Sequence, residues 1–185
     1  MTKLPRTIRL DPSDTFVFDH SAEPGEWAVT GSFLFWDTDV ASLSGKARAA
    51  FRSGFLGVRS FGFSTLVVVS EASTRERDEA IEALAEHLLA KFGAPNMDAA
   101  RAAAGEEVAF AATLCGHDVN TIIAMHRTWE EGQIKEQFRT LRPRDNAQPG
   151  ADSLHAFARA FQFVETDEEP EERVDLSKLM RGAHS

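Results

Sequence analysis

The run Leu114-Cys115-Gly116-His117-Asp118-Val119-Asn120, followed by His126, Arg127 and Trp129, gathers the residue types best suited to chemistry in this chain. Thiolate and imidazole are borderline-soft ligands that suit zinc or iron, so Cys115, His117 and His126 could supply three ligands, with a fourth from elsewhere. Their spacing matches no assignable metal pattern. A structural account competes with this one and is favoured. In it Cys115 is a small buried apolar residue, Gly116 ends a helix, His117 meets the helix dipole, and Asp118 and Asn120 form the turn. On that account no cofactor is expected. A thiol nucleophile served by His126 or His117 is a third option. The position disfavours it, because a helix C-terminus presents carbonyls and partial negative charge, which raise a thiol pKa.

The only basic cluster is Arg127, Lys135, Arg139, Arg142 and Arg144, on or just after a predicted hairpin. Arg127, Lys135, Arg139 and Arg142 are the candidate partner-binding residues, a landing site for an acidic segment in cis or trans, with a solvated sheet face as the alternative. Asp37 and Asp39 suit capping and turn formation better than cation binding, since no further carboxylates lie in their loop. Asp78, Glu79, Glu82 and Glu86 form an acidic stripe expected to face solvent. Ser44-Gly45-Lys46-Ala47 lacks the hydroxyl after lysine and the earlier glycine of a phosphate-cradling loop, so it reads as a helix start. The chain carries no G-x-G-x-x-G after a strand, no G-x-S-x-G, no H-E-x-x-H and no C-x-x-C, which leaves nucleotide binding and common hydrolysis without support.

The elements that must position these residues are organised around Ser60 to Gly93. Phe61, Phe63, Val67 and Val69 fall on one side of an extended run, and Gly62 and Ser64 would let another backbone approach closely. A helix follows. Ser73 and Glu76 have capping-box spacing, Ala80, Ile81, Leu84, Ala85, Leu88, Leu89 and Phe92 form one stripe, and Gly93 and Pro95 stop it. Its apolar face is predicted to lie on a Phe-rich sheet. Thr7 to Leu10 and Asp14 to Phe18 read as an edge hairpin about Asp11-Pro12-Ser13. The run EWAVTGSFLFW reads as a strand sharing the sheet. Ser44 to Phe55 and Asn96 to Cys115 read as helices, the second with a break at Gly105 and close packing through its small residues. NTIIAMHRTW, the turn Glu131-Gly132 and QIKEQFRTLR predict a hairpin rather than a helix from Thr128. Residues 153–164 fit strand or helix, with strand preferred.

Composition bounds the rest. A chain of 185 residues with 43% apolar residues suits one domain over 1–164, with 165–185 as an acidic, mobile tail. Fourteen Phe and three Trp without Tyr imply dry aromatic packing. One cysteine excludes an internal disulfide, and MTKLPRTIRLD lacks a signal-peptide core, so a cytoplasmic location is expected. No apolar run is long enough to span a bilayer. The net charge is −9, and residues 165–175 hold seven acids against one arginine. Phosphate-backbone binding relies on clustered Lys and Arg, so neither nucleic acid nor membrane is expected as a partner.

The layout of EWAVTGSFLFW, GFSTLVVVSEAS, LCGHDVNTIIAMHRT and EQFRTLRP resembles a small family of uncharacterised bacterial α+β proteins, a domain of unknown function, over residues 6 to 164. The resemblance implies an accessory role in redox-enzyme assembly and transfers no site residue. The fold expected is α+β, a mostly antiparallel sheet of five to seven strands with helices packed on one face. The expected function is a non-catalytic accessory or interaction protein with a protein partner or a second copy. The alternative is a small metal-dependent or ligand-binding enzyme centred on Cys115, His117 and His126.

Overall fold

The computed structural model describes residues 1–141, and the order of elements is set largely by where glycine and strained backbone interrupt extended runs. Strand β1 (Thr2–Ile8) leads through a helical turn, α1 (Asp14–Val17), to a short β2 (Ala28–Val29). Helix α2 (Gly45–Ser53) precedes β3 (Phe55–Gly57), β4 (Phe63–Ser64) and β5 (Leu66–Ala72). Then come α3 (Thr74–Lys91), α4 (Met97–Thr113), β6 (Ile122–Glu130) and β7 (Gln133–Leu141). The fold is α+β, as expected. All strand pairs are antiparallel, but the strands divide between two sheets, in orders β1-β5-β6-β7 and β2-β3-β4. A bridge between Arg6 and Trp27 joins them edge to edge.

Three expected strands are corrected. The Asp11-Pro12-Ser13 turn does not close a hairpin: Asp11 Oδ1 accepts from Ser13 N at 2.6 Å and Pro12 O accepts from Thr15, which winds the chain into α1. Strand β1 pairs instead with β5, Thr7 opposite Val67. The run EWAVTGSFLFW stays extended only over Ala28–Val29, because Gly31 takes φ 79° and starts a 3-10 turn at Ser32–Phe35. The Ser60 strand begins only at Phe63, because Phe61 has φ 57°. Gly62 does admit a backbone, that of Ser21 and Ala22, which a Cβ would meet at 2.6 to 2.8 Å.

The other elements follow the sequence closely. Ser73 and Glu76 form the full capping box of α3, and Gly93 leaves it at φ 67°. Ala80, Leu84, Ala85 and Leu88 of α3 pack with Ala100, Ala104, Val108 and Ala111 of α4 in one core that includes Leu4, Val29, Leu56 and Val58. The surface beneath α3 is thus largely aliphatic rather than Phe-rich. Small side chains let the two helices approach closely, and α4 runs unbroken through Gly105. The β6–β7 turn has positive φ at both Glu131 and Gly132, as a tight two-residue hairpin requires. The proposed strand or helix at 153–164, Arg142, Arg144 and the acidic tail lie outside the described residues.

Candidate functional site

Strand alternation places Ile123, Met125 and Arg127 on one side of β6 and His126 on the other. The first side is buried. Val67, Val69, Ile123, Met125, Cys115, Ala28 and Phe55 form an apolar cluster there, with Phe138 packed against it. Arg127 therefore does not belong to a basic surface: it is 1% exposed, the largest fully buried side chain among the described residues. Its Nε donates to Ser32 Oγ at 3.1 Å and to Glu136 Oε1 at 3.3 Å. Its Nη1 donates to Phe51 O at 2.8 Å and Ala50 O at 3.4 Å, and its Nη2 to Thr30 O at 2.7 Å. The rings of Phe35 and Phe51 flank the guanidinium at 5.2 and 5.9 Å.

The physics of this group is that of a buried cation with a nearly complete set of acceptors. Ala50 and Phe51 lie in the last turn of α2, where the helix dipole favours a cation, and the Ala50 carbonyl also accepts from Gly54 N at 3.0 Å. Burial lowers the Arg127 pKa from the usual guanidinium value, against the pull of Glu136 and Glu107. Burial raises that of Glu136, against the opposing charge and hydrogen bond of Arg127. Glu107 of α4 is pushed up to about 7 by burial and by the charges of Glu136 and Glu106, with Arg127 opposing. Charge type alone placed Arg127 outside. Its alternation with Ile123 and Met125, and the register set by the Glu131-Gly132 turn, are the signals that point to Glu136.

The remaining sequence candidates are spread out. Cys115 is buried, and burial raises its thiol to about 12, with Lys3 pulling the other way. His117 is half-buried and its carbonyl accepts from Lys3 Nζ at 2.8 Å, while His126 is exposed opposite Gln137. Among the described residues no three of His, Cys, Asp and Glu form a group that could hold a metal. Lys135 is paired with Glu130, and Arg139 is exposed opposite Ala124. The acidic stripe of α3 is exposed, with Glu79 bound to Arg75 and Glu82 to Arg101.

A surface feature missed by periodicity lies at the end of α3. Phe61 stacks on His87 at 4.5 Å and packs against Phe92 and Phe33, with Lys91 Nζ 4.8 Å above its ring. His87 Nε2 is 2.9 Å from the Arg59 carbonyl. Phe92 and Leu89, one helical turn apart, are 43% and 38% exposed. A positive φ at a bulky aromatic residue costs about 1–3 kcal/mol and persists only where its surroundings impose it. Stacking on His87 and the Phe61 N–H to Gly57 O bond of 3.0 Å hold it there.

The chain belongs to a family of unknown function (DUF6505), whose match extends over residues 1–158. No curated protein matches the chain, and no solved structure does. Among the described residues no helix is long and apolar enough to cross a membrane.

Proposed function

We propose that this member of the DUF6505 family is a non-catalytic accessory protein that works in the cytoplasm by contact with a protein partner or a second copy of itself. The observation that carries this reading is Phe61, held in a strained left-handed backbone so that it joins Phe33, Phe92 and His87 in a partly exposed aromatic surface, with the exposed Leu89 one helical turn before Phe92. Backbone strain of this kind collects at functional positions, and aromatic side chains are enriched at the core of protein interfaces. The surroundings agree with a protein ligand rather than a polyanion or a lipid surface, since α3 presents carboxylates beside the aromatic residues. The resemblance drawn from the sequence layout implies redox-enzyme assembly as the setting. The test is sedimentation of the full chain with pull-down from native lysate, repeated for Phe92→Ser and Leu89→Ser. A self-associated species, or a stoichiometric partner, that is lost in both variants is the expected result. A monomer that captures nothing, or a complex indifferent to both substitutions, overturns the reading.

A further inference from the structure

The four-stranded sheet has a second face, turned away from Arg127, and its register fixes which residues lie on it. Val68 stands opposite Ile122, Ile122 opposite Leu141, and Leu66 opposite Ala124. Residues directly opposite share a face, so these five make one apolar patch across β5, β6 and β7. A sheet face left to water carries polar residues at such positions. Among the described residues, α3 and α4 meet this side of the sheet near its β1 end, through Leu4 and Ala72. Helix α2 and the Phe110 ring of α4 meet β6 and β7 on the other side, at Arg127 and Phe138. Ile122 and Leu141 are nevertheless only 4% and 6% exposed, and neither belongs to an apolar cluster of the described residues. Burial of that degree takes contact with about 6–12 residues, more than strand neighbours supply. Leu66, Val68 and Ala124 beside them are half-buried.

We propose that this face is a docking surface for residues 154–164 of the same chain, which cover Ile122 and Leu141 in cis. The chain leaves β7 at Leu141, itself part of the patch, and residues 142–153 give roughly 40 Å of extended chain, ample to return across the sheet. The segment brings Leu154, Phe157, Phe161 and Phe163 with Arg159 as its one acidic or basic charge beside His155, a composition that suits an apolar surface. The family match runs on past the sheet to residue 158, into this segment. Charge agrees with the same occupant. Arg139 stands opposite Ala124, and His126 follows Ala124 on the same face, so a basic margin borders the patch. The seven acids of residues 165–175 come directly after the segment and complement that margin. The patch shares no residue with the aromatic surface at the end of α3, so its covering is tested independently of the proposed partner contact.

Hydrogen exchange of the purified full chain tests this, with the double variant Phe157→Asp, Phe161→Asp and the single variant Phe16→Asp measured beside the wild type. In the wild type the amides of residues 157–164 should exchange at least about tenfold more slowly than in the denatured chain, and equally so on dilution. In the double variant that protection should vanish, and the amides of Ile122 to Ala124 and Arg139 to Leu141 should exchange at least about tenfold faster while α3 keeps its protection. Phe16→Asp, at a phenylalanine 73% exposed on α1, should change neither set. Phe161→Ala, read in the same way, decides the matter if the double variant also loses protection in α3. Unprotected amides at 157–164 in the wild type overturn the docking, as does unchanged protection of β6 and β7 in the variants. Protection that falls on dilution overturns it too, because a second copy would then be the cover.

Discussion

Cys115 shows how position rather than residue type decides reactivity. The thiol sits just past the C-terminus of α4, among Ile123, Met125, Val67 and Val69, and burial raises it to about 12. A thiol reagent such as DTNB at pH 8 should therefore modify the native chain very slowly and the denatured chain within the mixing time; rapid native labelling would contradict the burial. This environment was legible in the sequence, since a helix stop at Gly116 followed by an apolar extended run predicts a buried cysteine. Arg127 was not legible from charge, because arginine is seldom fully buried unless paired. The information was nevertheless present in the chain. A two-residue turn at Glu131-Gly132 sets Glu130 opposite Gln133 and, counting back, Arg127 opposite Glu136, on the face that carries Ile123 and Met125. The acceptors Thr30, Ser32, Ala50 and Phe51 come from segments about 75 to 100 residues away, and no local pattern announces them.

At the scale of elements, helices α2, α3 and α4 and the β6–β7 hairpin follow local signals, while β1, β2 and β4 do not. The helices carry their own stops and starts: a capping box at Ser73, a positive-φ glycine at 93, and Asn96 accepting from Ala99 N at 2.8 Å. A short strand has no such autonomy. Its length depends on which partner it finds, and single residues such as Gly31 and Phe61 end it through φ values that hydrophobic alternation does not encode. Helix α3 rests its energy on the stripe that faces α4 and the sheet, so Leu84→Ala should cost about 2–5 kcal/mol, the range for truncating a buried leucine. Glu82 reaches Arg101 of α4 at 2.7 Å with both side chains about half exposed, an ion pair worth at most about 1 kcal/mol, so Glu82→Ala should be mild. Denaturant melts compare the two directly. Equal effects would mean that α3 does not depend on the core assigned to it.

The whole molecule turns on the seam where β1 serves both sheets. One edge of β1 pairs with β5, and near Arg6 and Thr7 the other reaches the segment before β2: Thr7 N donates to Glu26 O and Gly25 N to Thr7 O, each at 2.8 Å. Arg6 lies 4.0 Å over the Trp27 ring. The Glu26 carboxylate, 9% exposed as a residue, fastens the seam by accepting from Glu23 N at 2.8 Å, Arg59 N at 2.9 Å and Ser60 N at 3.0 Å. Gly57 leaves the room it needs, since a Cβ there would stand 2.3 Å from Glu26 Oε1. Glu26→Ala orphans three amide donors and should cost about 2–5 kcal/mol. Because the seam ties the two sheets into one strand order, β7-β6-β5-β1-β2-β3-β4, they should also unfold together. In a Trp36→Phe, Trp129→Phe background Trp27 alone reports on the seam, and its fluorescence transition in denaturant should coincide with loss of the far-ultraviolet dichroism of α3 and α4. Glu26→Ala should shift both curves together. Trp27 changing first, with the helical signal intact, would show that the three-stranded sheet opens independently and that β1 joins the sheets in space without coupling their stability.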